Sequence, residues 1–343
     1  MYILGITVLA TIFVFSLVVF VHELGHFVTA KLTGMQVDEF AIGFGPKLCS
    51  CRYGKTVYSL RLIPLGGFNK IAGMTEEEEL TERSFLNKPV LSRLIVISAG
   101  AIMNFVLAFI LLWGIIFANG ISHVSSEPVV GSVIADSAAA ESGLRQGDRL
   151  TSIGGTTITA WNDISAAVEK HSQEVVTVTF IRDGAPQSLS VIPKTDSRTG
   201  RVLLGVTPVI TTEEQSFFSA AGYAVQRTAE LGSMMLGGLY HMLTGTEKAE
   251  LAGPIGVAQL AGQAASVGFT NLLTFTAFLS LNLGILNLLP IPMLDGGYII
   301  LILLEGIMRR RLPQKALYYI QMTGVIILGG MFIFALMQDI SRF

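Results

Sequence analysis

The chain has 343 residues, 51% of them hydrophobic and 14% charged, with a formal net charge of -2 and a mean hydropathy of +0.61. A soluble domain carries about 25% charged residues, so an ordinary soluble protein is excluded. With no basic tract, nothing in the chain points to nucleic acid.

The missing charge is concentrated in long apolar runs that alternate with polar sequence, the pattern of a polytopic membrane protein with at least one aqueous domain. The first run, Ile3 to Val21, has no basic residues before it. It is expected to be a retained span, not a cleaved signal peptide. That span should extend to about Thr29, carrying His22, Glu23 and His26 near its end. A second is expected over Leu94–Ala118. A third should begin near Asn271, run through Leu294, be interrupted at Asp295 and resume over Tyr298–Leu304. A fourth covers Ala316–Met337. Each is long enough for roughly 30 Å of hydrocarbon at about 1.5 Å per residue.

Cys49 and Cys51 are too close in sequence to found a disulfide framework and read as free thiols. The alternation of Val57, Ser59, Leu60, Leu62 and Ile63 before Pro64, Gly66 and Gly67 suggests a hairpin or loop. The acidic run Glu76–Glu79 reads as a solvated loop. Between spans two and three, residues 127–194 look like a small α/β module. Strands are expected at Val129–Ile134, Arg149–Ile153, Val175–Arg182 and Gln187–Ile192, with a helix near Trp161–Lys170. Asp183-Gly184 is the hairpin turn. Glu213–Leu243 reads as amphipathic helix, and the Gly/Ala-rich stretch to Gly268 as interfacial or re-entrant.

Orientation follows from Lys and Arg in the short connections. Nine fall between Lys31 and Arg93 and four between Arg309 and Lys315, against none before the first span and Arg342 after the last. Both termini and the module are therefore expected outside, with the two basic connections in the cytoplasm.

His22-Glu-Leu-Gly-His26 matches H-E-x-x-H. On a helix, residues four apart share a face, so two imidazoles can hold one zinc ion. Glu23, one step round, can reach a water held by the metal. The alternative is three polar residues snorkelling to the interface. A zinc site needs a third protein ligand, and Asp295 is the one acid between Leu251 and Leu304. Pro290, Pro292 and Gly296-Gly297 break the helix around it, and irregular backbone at membrane depth belongs where it is buried in protein or lines a cavity.

HELGH together with Asn287-Leu-Leu-Pro-Ile-Pro-Met-Leu-Asp-Gly-Gly297 resembles the site-2 protease family of intramembrane zinc metalloproteases. Gly43-Phe-Gly-Pro46, Ile63-Pro-Leu-Gly-Gly-Phe68 and Gly253-Pro-Ile-Gly256 extend the resemblance over nearly the whole chain. Ala140–Asp148 and Ile153-Gly-Gly155 look like a PDZ domain of the kind bacterial regulator-of-sigma-factor proteases carry, here in a single copy. The resemblance implies zinc on His22, His26 and Asp295 and acid–base chemistry at Glu23. It also implies substrate binding by Asn282 and Asn287, and strand pairing with substrate along Tyr58–Ile71. Gly66 and Gly67 fall within that strand, although by themselves they read as turn glycines.

The expected architecture is a polytopic α-helical membrane protein of about four transmembrane helices, with a cytoplasmic-side, membrane-associated β-hairpin and one extracytoplasmic PDZ (α/β) domain. Its parts would be a membrane domain (1–126), the PDZ domain (127–195), an amphipathic linker region (196–268) and a C-terminal membrane domain (269–343). The implied location is the bacterial cell membrane. The implied partners are the lipid bilayer and single-span membrane proteins, such as anti-sigma factors or signal-peptide remnants, cut in regulated intramembrane proteolysis. Two other readings stand beside it. An inactive PDZ-bearing adaptor would be expected to lose Glu23 or a ligand. A metal transporter predicts several sites along a path.

Overall fold

A computed structural model describes residues 2–74, 80–171, 174–195, 201–246 and 253–341; the acidic run Glu76–Glu79 lies outside them. The chain divides into two compact units, residues 1–118 with 216–343, and residues 119–215.

The first unit opens with helix α1 (Tyr2–Leu32), followed by strands β1 (Val37–Tyr53) and β2 (Thr56–Ile71) and helix α2 (Val90–Asn119). The hairpin turn is Gly54-Lys55, where Gly54 takes φ 61°, and not the Pro64-Gly66-Gly67 stretch that the sequence suggests. That stretch continues β2. Its glycines serve close packing: a Cβ at Gly66 would overlap the Phe44 ring, and one at Gly67 would stand 2.7 Å from the Ala41 carbonyl oxygen. Both strands are so long that they fold back on themselves. Ile42 to Glu39 pair with Gly67 to Lys70 on one side and stand opposite Leu60 to Val57 on the other.

The second unit holds β3 (Ile121–Val124), β4 (Val130–Val133), helix α3 (Ala138–Ser142), β5 (Arg149–Ile153), β6 (Thr156–Thr157) and helix α4 (Trp161–Glu169). It continues with β7 (Val176–Arg182), β8 (Ala185–Val191), β9 (Lys194–Thr195), β10 (Val202–Leu203), β11 (Val206–Pro208) and β12 (Ile210–Glu213). A four-stranded sheet in the order β6-β5-β7-β8 is joined by the pairs β4–β11, β3–β12 and β9–β10. Asp183 (φ 52°) and Gly184 (φ 80°) make the expected turn between β7 and β8. The inward residues of β5 and β7, Leu150, Ile153, Val178 and Phe180, pack with Ile164 and Val168 of α4 into a core of the unit's own.

The rest of the first unit is helical: α5 (Phe217–Thr244), α6 (Pro254–Val267), α7 (Phe269–Asn287), α8 (Asp295–Met308) and α9 (Gln314–Ser341). Among the described residues four helical stretches are long and apolar enough to cross a membrane: Leu4–Leu32, Val90–Asn119, Phe269–Asn287 and Gln314–Ser341. The expected third span is corrected. Helix stops at Asn287, seven residues short of Leu294, because Pro290 and Pro292 disfavour helix in the residues before them. Asp295 does not interrupt a helix; it begins α8. Arg93, counted by sequence with the basic connection, belongs to α2 and is buried against Glu305 of α8, Nη1 to Oε2 2.6 Å. Gly253-Pro-Ile-Gly256 opens α6, where the buried Asp339 carboxylate of α9 accepts the backbone N–H groups of Gly253, Ile255 and Gly256 at 3.0 Å each.

In the second unit the buried Asp148 carboxylate accepts Arg182 Nε and Nη2 at 2.8 Å each and the Arg145 N–H at 2.8 Å. Burial pushes this carboxyl up, but the hydrogen bonds from Arg182 and Arg145 and their charges outweigh it and hold it below the ordinary range. A depressed folded-state pKa stabilises the fold above the unfolded value and is lost as pH falls through the folded one. Residues 119–215 are therefore expected to lose stability below pH 4. Arg182→Ala should lower their melting temperature at pH 7 by several degrees and flatten the acid dependence. Thermal unfolding followed by circular dichroism at pH 7 and pH 3 checks both.

Candidate metal centre

His22 and His26 project from one face of α1 toward α2, and both are buried. Two glycines let the helices approach. A Cβ at Gly25, the fourth residue of HELGH, would overlap the Ala99 carbonyl. A Cβ at Gly100 would overlap both imidazole rings. His26 Nδ1 lies 2.8 Å from the Val96 carbonyl oxygen, which can only accept, so Nδ1 carries the proton and Nε2 the lone pair.

The two Nε2 atoms stand 3.2 Å apart, and Asp295 Oδ2 is 3.5 Å from that of His22 and 3.6 Å from that of His26. Oδ2 is buried with no hydrogen-bond partner. Three acceptor atoms that face one another in an apolar setting repel unless a cation lies among them. Tetrahedral zinc with bonds of about 2.0–2.1 Å keeps its ligand atoms roughly 3.3 Å apart. The set fits zinc in both donor chemistry and spacing. Among the described residues it is the one group of three or more His, Cys, Asp or Glu that could hold a metal ion.

Asp295 reaches this point because the broken segment before α8 is tightly folded. Met293 takes φ 78°, and a Cβ at Gly296 or Gly297 would overlap the carbonyls of Leu289 and Ile291. Gly324 of α9 likewise abuts the Pro292 carbonyl.

Two asparagines that sequence reasoning missed complete the surroundings. Asn104 of α2 is fully buried, its side-chain amide 3.3 Å from His22 Nδ1, and Ser280 of α7 donates to its backbone oxygen at 2.9 Å. With Oδ1 turned toward Nδ1, the amide oxygen accepts Nδ1–H and gains the partner it otherwise lacks. His22 Nε2 then keeps its lone pair for the metal. Asn69 of β2 donates through Nδ2 to the Glu23 backbone oxygen at 2.6 Å and to Glu23 Oε2 at 2.8 Å. Neither asparagine stands in a spacing that signals a site. The match of Asn104 to His22 across 82 positions, and of Asn69 to Glu23 across 46, exists only in the fold.

Of the other expected site residues, Gly67 alone has a contact to Glu23. Gly67 faces Glu23, to which a Cβ would come within 3.4 Å of Cγ, and Gly66 packs on Phe44. Asn282 and Asn287 are half-buried on α7.

Helices able to span a bilayer and a buried set of two His and one Asp beside a glutamate define an intramembrane metallopeptidase. The chain belongs to peptidase family M50, the site-2 proteases, whose model matches residues 10–331. It is 30% identical to the regulator of sigma-W protease RasP of Bacillus subtilis over 98% of both chains. A Campylobacter jejuni protein described as a zinc metalloprotease is 36% identical over 98% of this chain and 94% of its own. A Clostridium acetobutylicum protein of the same description is 32% identical over 97% of each. Among solved structures, the PDZ domain of a Listeria monocytogenes SdrC-like protein matches 25% of this chain and 92% of its own, at 20% identity and a TM-score of 0.23. The protein is thus a zinc metalloprotease of the bacterial membrane, and the expectation of an enzyme, of zinc and of a polytopic helical architecture holds.

Asn104→Ala should leave the protein folded and weaken zinc binding about 10- to 100-fold, as loss of a ligand's hydrogen-bond partner does elsewhere. Gly100→Ala, which forces the two rings apart, should lose zinc altogether. Metal content after dialysis against graded chelator reads both.

Proposed function

We propose that His22, His26 and Asp295 hold the zinc, that Glu23 carries the proton, and that the substrates are single-span membrane proteins. The observation that carries the reading is the convergence of three buried acceptors on one point, with Glu23 on the same helix as the two histidines. Zinc, when bound, supplies Lewis-acid polarisation and a water acidic enough to ionise near neutral pH. Glu23 takes the proton from the attacking water as its oxygen bonds to the scissile carbonyl carbon. It then delivers that proton to the amine nitrogen as the C–N bond breaks.

A helical substrate keeps its carbonyls in internal hydrogen bonds and must be unwound before attack. Among the described residues, Gly67–Ile71 pair along one edge with Val37–Ile42 and no strand takes the other edge. Tyr58–Ile71, with Gly66 and Gly67, is the strand on which an extended substrate adds. Asn282 and Asn287 of α7 then hold the substrate backbone.

The motifs of residues 127–195 and an independent core favour a PDZ domain, which we read as a filter on access to the site; 1–126, 196–268 and 269–343 are its companion regions. The bias of Lys and Arg favours both termini and this domain outside, with the β-hairpin on the cytoplasmic side. The sigma-W regulator among the relatives favours anti-sigma factors as substrates, with signal-peptide remnants as the second class.

Glu23→Gln should slow cleavage of a co-expressed single-span substrate by roughly 10²–10⁴-fold while zinc content stays at the parental level. Cleavage at the parental rate would remove Glu23 from the mechanism. For orientation, a cysteine placed at Arg310 should react with a membrane-impermeant maleimide only after cells are permeabilised. Labelling of intact cells would invert the topology.

A further inference from the structure

Strand β2 meets α1 at two places. The Ser16 hydroxyl donates to the Pro64 carbonyl, and seven residues along the helix Glu23 receives Asn69. Gly67 and Asn69 are two apart in the strand and so lie on one face, which is turned to Glu23. The nearer residue has no side chain, which leaves room for the glutamate. The farther one reaches it.

Both atoms that Asn69 Nδ2 contacts are acceptors, so the amide nitrogen must be the atom that faces them. A glutamate side chain has three rotatable bonds, and its carboxylate can serve the reaction only in the rotamer that points to the attacking water. The bond to the backbone oxygen fixes where Asn69 stands relative to α1. The bond to Oε2 fixes where the carboxylate stands relative to Asn69. Together they tie one oxygen of Glu23 to its own main chain through a residue on another element. Because Ser16 pins β2 independently at Pro64, loss of Asn69 leaves the strand a second anchor on α1.

We infer that Asn69 is a positioning residue for proton transfer: it holds the Glu23 carboxylate in its working rotamer, so that the strand proposed to receive substrate also aligns the base. This rests on the reading of Glu23 as the proton carrier. The asparagine touches neither the reacting bond nor the metal ligands, and its effect should appear in turnover and not in docking.

The test uses the full-length protein purified in detergent with zinc bound, and a single-span membrane substrate that the parental enzyme cuts. Asn69→Ala should lower kcat about 10- to 100-fold, the scale set by a misplacement of about 1 Å, with KM within about twofold of the parent. Zinc stoichiometry should be unchanged. Asn69→Asp has nearly the same shape but no amide donor, and should lose at least as much kcat. It also stands in if the alanine variant does not fold. Parental kcat in the variants overturns the inference. So does a raised KM at unchanged kcat, which would make Asn69 a docking residue, or loss of zinc, which would make it a structural one. Glu23→Gln measured alongside separates the two claims. If that variant is inactive while the Asn69 variants are parental, the positioning role alone fails; if it cuts normally, the reading of Glu23 fails first.

Discussion

Two imidazole nitrogens and a carboxylate oxygen, all acceptors, face one another within 3.6 Å inside an apolar helical bundle. Water could relieve their repulsion at a surface, but burial leaves a cation to do so. Much of the local sequence serves to bring these atoms together. Gly25 and Gly100 remove the side chains that would hold α1 and α2 apart, much as small residues let membrane helices approach in general. Gly284 of α7 similarly admits Asn104 and the Ala101 carbonyl. The glycine inside HELGH is thus a packing requirement, distinct from the chemistry of the residues beside it.

The third acceptor carries a different cost. Delivering a carboxylate to this depth from a second direction requires that the chain stop being helical, and a helix break within a membrane frees backbone groups. Between α7 and α8 those groups are bonded locally, Ile291 N–H to the Leu289 oxygen at 2.7 Å and Leu294 N–H to the Ile291 oxygen at 3.1 Å. Gly296, Gly297 and Gly324 let neighbouring backbone close over the segment. At 14 residues α8 is about 21 Å long, too short to cross the bilayer alone. Its far end is held by the buried Arg93–Glu305 pair, and Glu305 Oε1 also accepts the Leu312 N–H. Removal of one partner of such a pair leaves an uncompensated buried charge, so the pair fixes where α8 lies against α2.

The parts of this arrangement that recur at a fixed spacing were legible in the sequence. H-E-x-x-H places His22 and His26 on one face through the helical period alone, and a lone acid after two prolines declares itself because charge is costly there. Four strands of residues 119–215, β4, β5, β7 and β8, were also readable, since half-buried strands alternate and Asp183-Gly184 marks its turn; β3, β6 and β9 to β12, two to four residues each, are too short to show a period. What escaped has no period. Most of β1 was missed because Gly43, Gly45 and Pro46 interrupt the alternation, although Gly43 and Gly45 take positive φ inside the strand. The end of α7 was placed too late because apolar residues continue past the point where prolines forbid helix. Asn69 and Asn104 are single amides in apolar context, indistinguishable by sequence from helix-packing or loop residues. Arg93 counts by sequence with the basic connection because its partner lies 212 positions away.

A β-hairpin in a protein of membrane helices needs a reason, because an open strand edge is costly in lipid. Helices satisfy their own backbone and can offer none of it to a substrate. A strand can, provided that its unpaired groups are sheltered until they are used. Here α1 shelters β2 from Ser16 to Glu23, over roughly 10 Å of helix. On the proposed reading, a substrate that unwinds exchanges its lost internal hydrogen bonds for those along β2, and that exchange sets its carbonyls beside the metal ligands. The hairpin also presents Glu39, whose carboxyl burial pushes up but which hydrogen bonds from Ser59, Arg61 and Lys47 bring down to about 2. That carboxylate accepts Ser59 Oγ and Arg61 Nη2 at 2.7 and 2.9 Å, and so links β1 to β2 in the stretch where β1 is paired on both sides. In the same stretch Gly67 packs on the Ala41 carbonyl, and the face of Gly67 and Asn69 is turned to Glu23. The strand's stiffness and its contact with Glu23 therefore come from one local geometry.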